Sequence, residues 1–281
     1  MITSPTLQEI VDKKKANDSL HTEISQMMFS TYDKAFLEKI FTDPLLCNLN
    51  IEALLKSDVI SNEILSKLSQ SKYFPARLLP LIAQHAQCDS TILTYLCKLQ
   101  FNESVNAQYQ DEIDRNILQN PNANATHVEL LLHREPDEYM NNGPAAVAGS
   151  RFLNDDIARQ LTKKYSLFNW NFLKQYSRNE RVQQKVDENE FEIRKEVILR
   201  LLANDNLPPQ WHRAYAFFVC KSYQEYRRGE FAVWMSSSKS CPSDVLAKLH
   251  SLAGNAKTAS GGLLSNVIEK HPNFSQLNTQ K

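Results

Sequence analysis

At 281 residues the chain is long enough for two compact domains or one elongated one, and its 42% apolar residues can fill a continuous core. Its 32 Lys and Arg balance 32 Asp and Glu, so no overall field draws the molecule onto a phosphate backbone or an anionic membrane, and an electrostatic partner must be met locally. Only 6 glycines occur, too few for the many tight turns of a β-rich fold or for phosphate-cradling loops, and this scarcity favours helices.

Residues 1–28 are polar, carry Lys13, Lys14 and Lys15, and scatter Leu7, Ile10, Val11, Leu20, Ile24 and Met27 at spacings compatible with an amphipathic capping helix. The first ten residues are too polar for a signal peptide. The longest strongly apolar stretch, "AYAFFVC" at residues 214–220, is far short of a membrane span, so the expectation is a cytoplasmic protein with no membrane contact. Cys47, Cys88, Cys97, Cys220 and Cys241 form an odd set with no CxxC spacing, which reads as reduced, mostly buried small hydrophobes.

From residue 61 onward one pattern recurs. A Ser, Asn, Asp or Pro precedes a polar or acidic residue, then a β-branched or large apolar residue, with another apolar residue three or four positions later. Copies are "SNEILSKL" (61–68), "CDSTILTYL" (88–96), "NATHVELLL" (124–132), "NDDIARQL" (154–161), "NERVQQKV" (179–186), "PPQWHRAY" (208–215) and "PSDVLAKL" (242–249). Taking Ile64, Ile92, Val128, Ile157, Val182, Trp211 and Val245 as equivalent, successive copies lie about 25 to 36 residues apart, the length of one helical hairpin. The chemistry is that of helix starts. A short oxygen-bearing side chain accepts from orphan N–H groups, Pro fits the first turn, and Glu63, Asp155, Asp156 and Asp244 complement the positive end of the dipole. Any all-helical chain reuses such caps, so the pattern alone leaves common ancestry of the copies open.

The stretch Asn120-Pro121-Asn122 followed by "ANATHVELLL" and "PAAVAGS", with the near-copy "VIEKHPNFSQL" at 267–277, resembles the leucine-rich repeat variant and related HEAT-like families. In those families an N-P break ends one helix and opens the next unit. The resemblance implies an all-α fold: an α-solenoid of stacked helical hairpins in a right-handed superhelical array. On that expectation residues 1–30 form a polar helical cap, 31–272 the repeat domain, and 273–281 a loose tail. "SSSKSCPS" at 236–243 reads as a flexible connector.

Catalytic motifs are scarce. There is no Gly-rich phosphate loop, HExxH, GxSxG or CxxC pair, so no catalytic residue, metal or cofactor is assigned. His85 and Cys88 stand three apart and could share a helix face as two ligands, but a tetrahedral site needs two more. Glu135, Asp137 and Glu138 read as a solvated loop, and Asp155 with Asp156 as a helix start that welcomes negative charge rather than an acid and base pair. The Glu-rich neighbours of Arg194, Lys195 and Arg200 suit i, i+4 pairing on a solvated face.

The most informative stretch is "WHRAYAFFVCKSYQEYRRGEFAVW", residues 211–234. Its centre, 214–220, is apolar on nearly all sides and is expected to be a buried helix. Beyond it, Lys221, Tyr223, Tyr226, Arg227 and Arg228 interleave cations with aromatics. That mixture anchors protein partners or stacks on bases and meets phosphates; equally, Arg227 and Arg228 before Gly229 suit a helix end. The expected function is a non-enzymatic scaffold or adaptor of bacterial type that binds another protein along an extended concave surface, with Trp170, Trp211, Tyr223, Tyr226, Arg227 and Arg228 as contacts. The alternative is a nucleic-acid-binding HEAT-like protein akin to glycosylases that excise alkylated bases with a cleft Trp and a carboxylate, an analogy at the level of fold.

Overall fold

The computed structural model describes Leu55 and residues 60–70, 74, 76–99, 109–134, 143–167, 188–226, 229–254 and 259–274. Among these residues the regular elements are all helical and no strand occurs. In chain order they are α1 (Asn62–Gln70), a 3₁₀ turn (Ala76–Leu78) running into α2 (Leu79–Gln84), α3 (Ser90–Lys98), α4 (Gln110–Gln119), α5 (Ala125–Leu132), α6 (Gly143–Ala148), α7 (Asp155–Lys164), α8 (Glu188–Ala203), α9 (Pro209–Tyr226), α10 (Glu230–Ser237), α11 (Ser243–Gly254) and α12 (Ala259–Glu269). Six of the seven quoted copies fall on the starts of α1, α3, α5, α7, α9 and α11. The seventh, around Val182, lies outside the described residues, as does the cap expected at 1–30.

Two compact units divide the chain, Met1–His127 and Val128–Lys281. In the first, α1 packs on α3 and α2 on α4. In the second, α6 packs on α8, α8 on α10, α10 on α12, and α9 on α11.

One four-residue turn, at 85–88, 120–123, 150–153, 204–207, 238–241 and 271–274, ends α2, α4, α6, α8, α10 and α12. In every copy the first residue's N–H bonds three residues back into the helix, as in His85 N–H to Ile82 O and Asn204 N–H to Leu201 O. Its carbonyl in turn accepts from the fourth residue, as in Cys88 to His85 and Leu207 to Asn204. At His85, Asn120 and Ser238 the first residue is extended, with ψ of 133°, 134° and 124°, which stops the helix. Its side chain then accepts the third residue's N–H: Gln87 to His85, Asn122 to Asn120, Phe152 to Ser150, Asn206 to Asn204 and Asn273 to His271.

The other half of that side chain reaches the preceding turn. Asn120 Nδ2 donates to Ala83 O and His85 O at 2.8 and 2.9 Å, and Asn204 Nδ2 donates to Ala148 O and Ser150 O, both at 2.8 Å. Ser238 Oγ continues to Asn204 O, and His271 Nε2 to Ser238 O. A parallel rail runs through the third residues: Asn122 Nδ2 donates to Ala86 O and Cys88 O, and Asn273 Nδ2 to Lys239 O and Cys241 O. Carbonyls orphaned at helix ends are thus satisfied by the next turn's amides.

Two expectations change. The 236–243 stretch is no loose connector, because Ser238 is buried and bonded on both sides within this ladder. Asn273 and Phe274 likewise belong to the last turn rather than to a tail. The ladder in the second unit passes straight from the turn at 150–153 to that at 204–207.

Helix starts follow the turns. Asp89 Oδ1 accepts from Ile92 N–H and Asn154 Oδ1 from Ile157 N–H, capping α3 and α7. Counting from the turn, the structural equivalent of Ile92 and Ile157 in α5 is His127, one residue earlier than Val128. At matching places in the first helix after each turn (α1, α3, α5, α7, α9 and α11) the buried side chains are Leu65 and Leu93, then Leu68 and Leu96, in the first unit, and Val128, Ala158, His212 and Leu246, then Leu131, Leu161, Tyr215 and Leu249, in the second. The second helices, those that end in the turn (α2, α4, α6, α8, α10 and α12), bury Ile82, Ile117, Val147, Leu201, Met235 and Ile268. At the start of α6 only glycine fits, since a Cβ on Gly143 would lie 2.6 Å from the Leu131 carbonyl oxygen.

Candidate functional site

The 18-residue helix α9 is fixed on both flanks. Toward α7, Trp211 Nε1 and Gln210 Nε2 both donate to Asp155 Oδ1, at 2.8 and 3.0 Å, while Tyr215 OH and Thr162 Oγ1 share a 2.7 Å hydrogen bond. Toward α11, the Arg213 guanidinium holds both oxygens of Asp244 at 3.0 and 3.1 Å. Arg159 adds a 2.6 Å bond to Asp155 Oδ2. The indole and amide donors hold the Asp155 carboxyl below its ordinary range, and Arg213 does the same for Asp244. Burial raises the Tyr215 phenol, against the pull of Thr162.

Among the expected contact residues, Trp170, Arg227 and Arg228 lie outside the described residues. Tyr226 is the last residue of α9, and its side chain is not described. Tyr223 is 4% exposed and packs inside. Trp211 is half-buried, and its bond to Asp155 has a counterpart in the first unit: His127, at the same place in α5, reaches back to Ser90 O at 3.1 Å. Both residues replace an aliphatic side chain with a polar tip that ties one helix start to the preceding one. Trp211 therefore serves first as a strut.

Directly beside it, His212 points inward and is fully buried, in a column that otherwise holds Leu, Val and Ala. Burial pushes its pKa down to about 4, with His271 adding in the same direction. The Leu202 and Pro208 carbonyls lie close enough to favour the charged form, yet neither ring nitrogen has a well-formed hydrogen bond. The imidazole stays neutral at physiological pH.

The centre of α9 departs from the expected all-round burial. Phe217 is 60% exposed, its ring set edge-on to Phe218 at 5.8 Å. The corresponding residues of the other first helices are Gln70, Lys98, His133, Lys163 and Ser251, all polar and all exposed. Sequence reasoning missed Phe217 because an apolar run reads as core; lining up the copies column by column would have exposed the mismatch. Trp234 on α10 and Leu263 on α12 are the other large apolar side chains left open among the described residues, at 42% and 56%.

Charge on this face is ordered along the helices. Among the described side chains, acids stand at the starts (Asp155, Asp156 and Asp244), paired there with Arg159 and Arg213, and lysines further on (Lys163, Lys164, Lys221 and Lys248), the arrangement helix dipoles favour. Among the described residues no group of three or more His, Cys, Asp or Glu is placed to hold a metal ion, and no helix is long and apolar enough to cross a membrane. Burial raises the thiols of Cys88 and Cys241 to about 12, so neither is a ready nucleophile. Compared with protein-family models, curated proteins and solved structures, the chain shows no match.

Proposed function

We propose that the chain is a non-enzymatic α-solenoid scaffold, built from stacked helical hairpins in a right-handed array, that binds another protein through the face made by α7, α9 and α11. Supporting the architecture are six copies of one turn with the same backbone bonds, and second helices that pack in sequence within each unit. The observation that carries the function is Phe217, an exposed aromatic in an otherwise polar column. Leaving the exposed part of this Phe side chain in water forgoes roughly 1–2 kcal/mol of burial free energy, which a docked partner recovers. Aromatic anchors of this kind dominate protein interfaces.

The base-excision alternative needs a carboxylate free to take a proton or attack a sugar carbon. Asp155, which stands beside Trp211, is bonded by three donors and held ionised, as suits a strut. The test is site-specific photo-cross-linking from position 217 in cells producing the full chain, with position 70 on α1 as control. A discrete protein adduct at 217 and none at 70 is expected. Equal, diffuse labelling at both positions, or an adduct to nucleic acid, refutes the reading.

A further inference from the structure

Resting on the reading of this face as a protein-docking surface, we infer that its occupant is an acidic segment with one large apolar side chain, seated on Phe217 between Lys163 and Lys248. The register that places these groups together is fixed. Thr162 meets Tyr215 and Asp155 meets Trp211, so Lys163 on α7 lies beside the turn of α9 that bears Phe217. On the other flank, Arg213 meets Asp244, and Lys248, one turn further along α11, is close enough for its charge to act on the Cys220 thiol of α9. Both lysines are exposed.

Among the described side chains of α7, α9 and α11, the carboxylates stand at the opposite end and are occupied. Asp155 and Asp156 pair with Arg159, and Asp244 with Arg213. The half of the face around Phe217 is therefore apolar at its centre and cationic at its flanks. Complementarity demands the reverse from a ligand, an apolar anchor flanked by acids. A polynucleotide fits less well, because a backbone laid along the helices would carry its phosphates past Asp156 and Asp244, whereas a short acidic peptide needs the cationic half alone.

The experiment uses the full chain as bait for a displayed library of short random peptides, selected in parallel on wild type and on Phe217→Ser, with a fluorescent single-stranded oligonucleotide as a separate probe. Circular dichroism checks that each variant is folded. Peptides enriched on wild type are expected to be net acidic, to contain a Phe, Leu or Trp, and to lose about tenfold or more in affinity on Phe217→Ser. They should also weaken on Lys163→Glu/Lys248→Glu, and basic versions of the same peptides should recover binding to that double variant. Enriched peptides that depend on Phe217 but are neutral or basic overturn this inference and leave the protein-docking reading standing. No enrichment over the Phe217→Ser bait overturns the inference, and oligonucleotide binding that Phe217→Ser abolishes overturns both.

Discussion

Acidification should loosen the second unit through one side chain, His212. The ring is fully buried, and its pKa falls from 6.5 in a solvated chain to about 4 in the fold. The folded value is the lower one, so the unfolded chain binds more protons between those limits. Stability is fully present above pH 6.5 and is lost as pH falls toward 4. The difference corresponds to about 3 kcal/mol, a large share of the 5–15 kcal/mol that holds a typical domain together. Asp155 and Asp244 also destabilise on protonation, but their pKa values are depressed, so that loss comes at and below the ordinary 3.8. The informative comparison is with His212→Leu, since Leu93 and Leu246 occupy the same place in α3 and α11 and are likewise buried. Urea unfolding followed by tryptophan fluorescence reads the correct unit, because Trp170, Trp211 and Trp234 all lie within Val128–Lys281. The stability difference between variant and wild type should be constant above pH 6.5 and widen in the variant's favour by about 3 kcal/mol on reaching pH 4. Parallel curves across that window would mean that the native ring protonates freely, and the burial argument would fail.

The ladder offers a second test. Asn204→Ala removes two donated bonds and one accepted bond, takes the side-chain donor from the buried carbonyl of Ala148 and leaves that of Ser150 with the Leu153 N–H alone, so the urea midpoint should drop by the equivalent of about 2–4 kcal/mol. Asn204→Asp should cost more, because it sets an acceptor against two acceptors; a loss under about 1 kcal/mol for either variant contradicts the role given to this amide. Ser166 has φ of 48°, and around it Ser166 N–H bonds to Lys163 O and Leu167 N–H to Thr162 O, the pattern that closes a helix on a left-handed residue. Ser166→Gly should therefore raise the thermal midpoint, by a free energy of roughly 1 kcal/mol; a fall would show that the strain is compensated by contacts of the hydroxyl. Trp211→Phe should cost about 1 kcal/mol for the lost bond to Asp155 while leaving selected-peptide affinity unchanged, and weakened binding would return Trp211 to the contact surface.

Helix starts were legible because capping is local. A residue such as Asp89 or Asn154 meets an N–H three positions on, and that spacing is visible in the sequence. The N-P-N break was legible for the same reason, and the His271-Pro272-Asn273 turn repeats its hydrogen bonds. The exact column was not. Val128 and His127 are adjacent, and only the bond from His127 to Ser90, 37 residues away, shows which of them faces the preceding helix. The same limit applied to Asp155, which read as acidic charge at a helix start, as it is in α7, while its second role as the acceptor on which α9 is anchored was not visible. Ser238 read as a linker residue because a run of serines has no apolar period, although its partners lie in turns 33 and 34 residues away.

Apolar columns of Leu and Ile are interchangeable, and burial is non-directional, so the buried columns by themselves would let neighbouring helices slip by a helical turn at modest cost. The amides of Asn120 and Asn204 remove that freedom. Each needs two particular carbonyls within 2.9 Å, and a slipped register leaves buried donors and acceptors unpaired. With register set by a few polar atoms in the turns, the exposed columns of α1, α3, α5, α7, α9 and α11 are free to differ from one another, and they do so while the turns keep the same bonds. Most of those exposed positions are polar, as solubility requires. An aromatic at residue 217 serves neither the ladder nor the buried columns of the described residues, and on the reading proposed above a docked partner is what covers it.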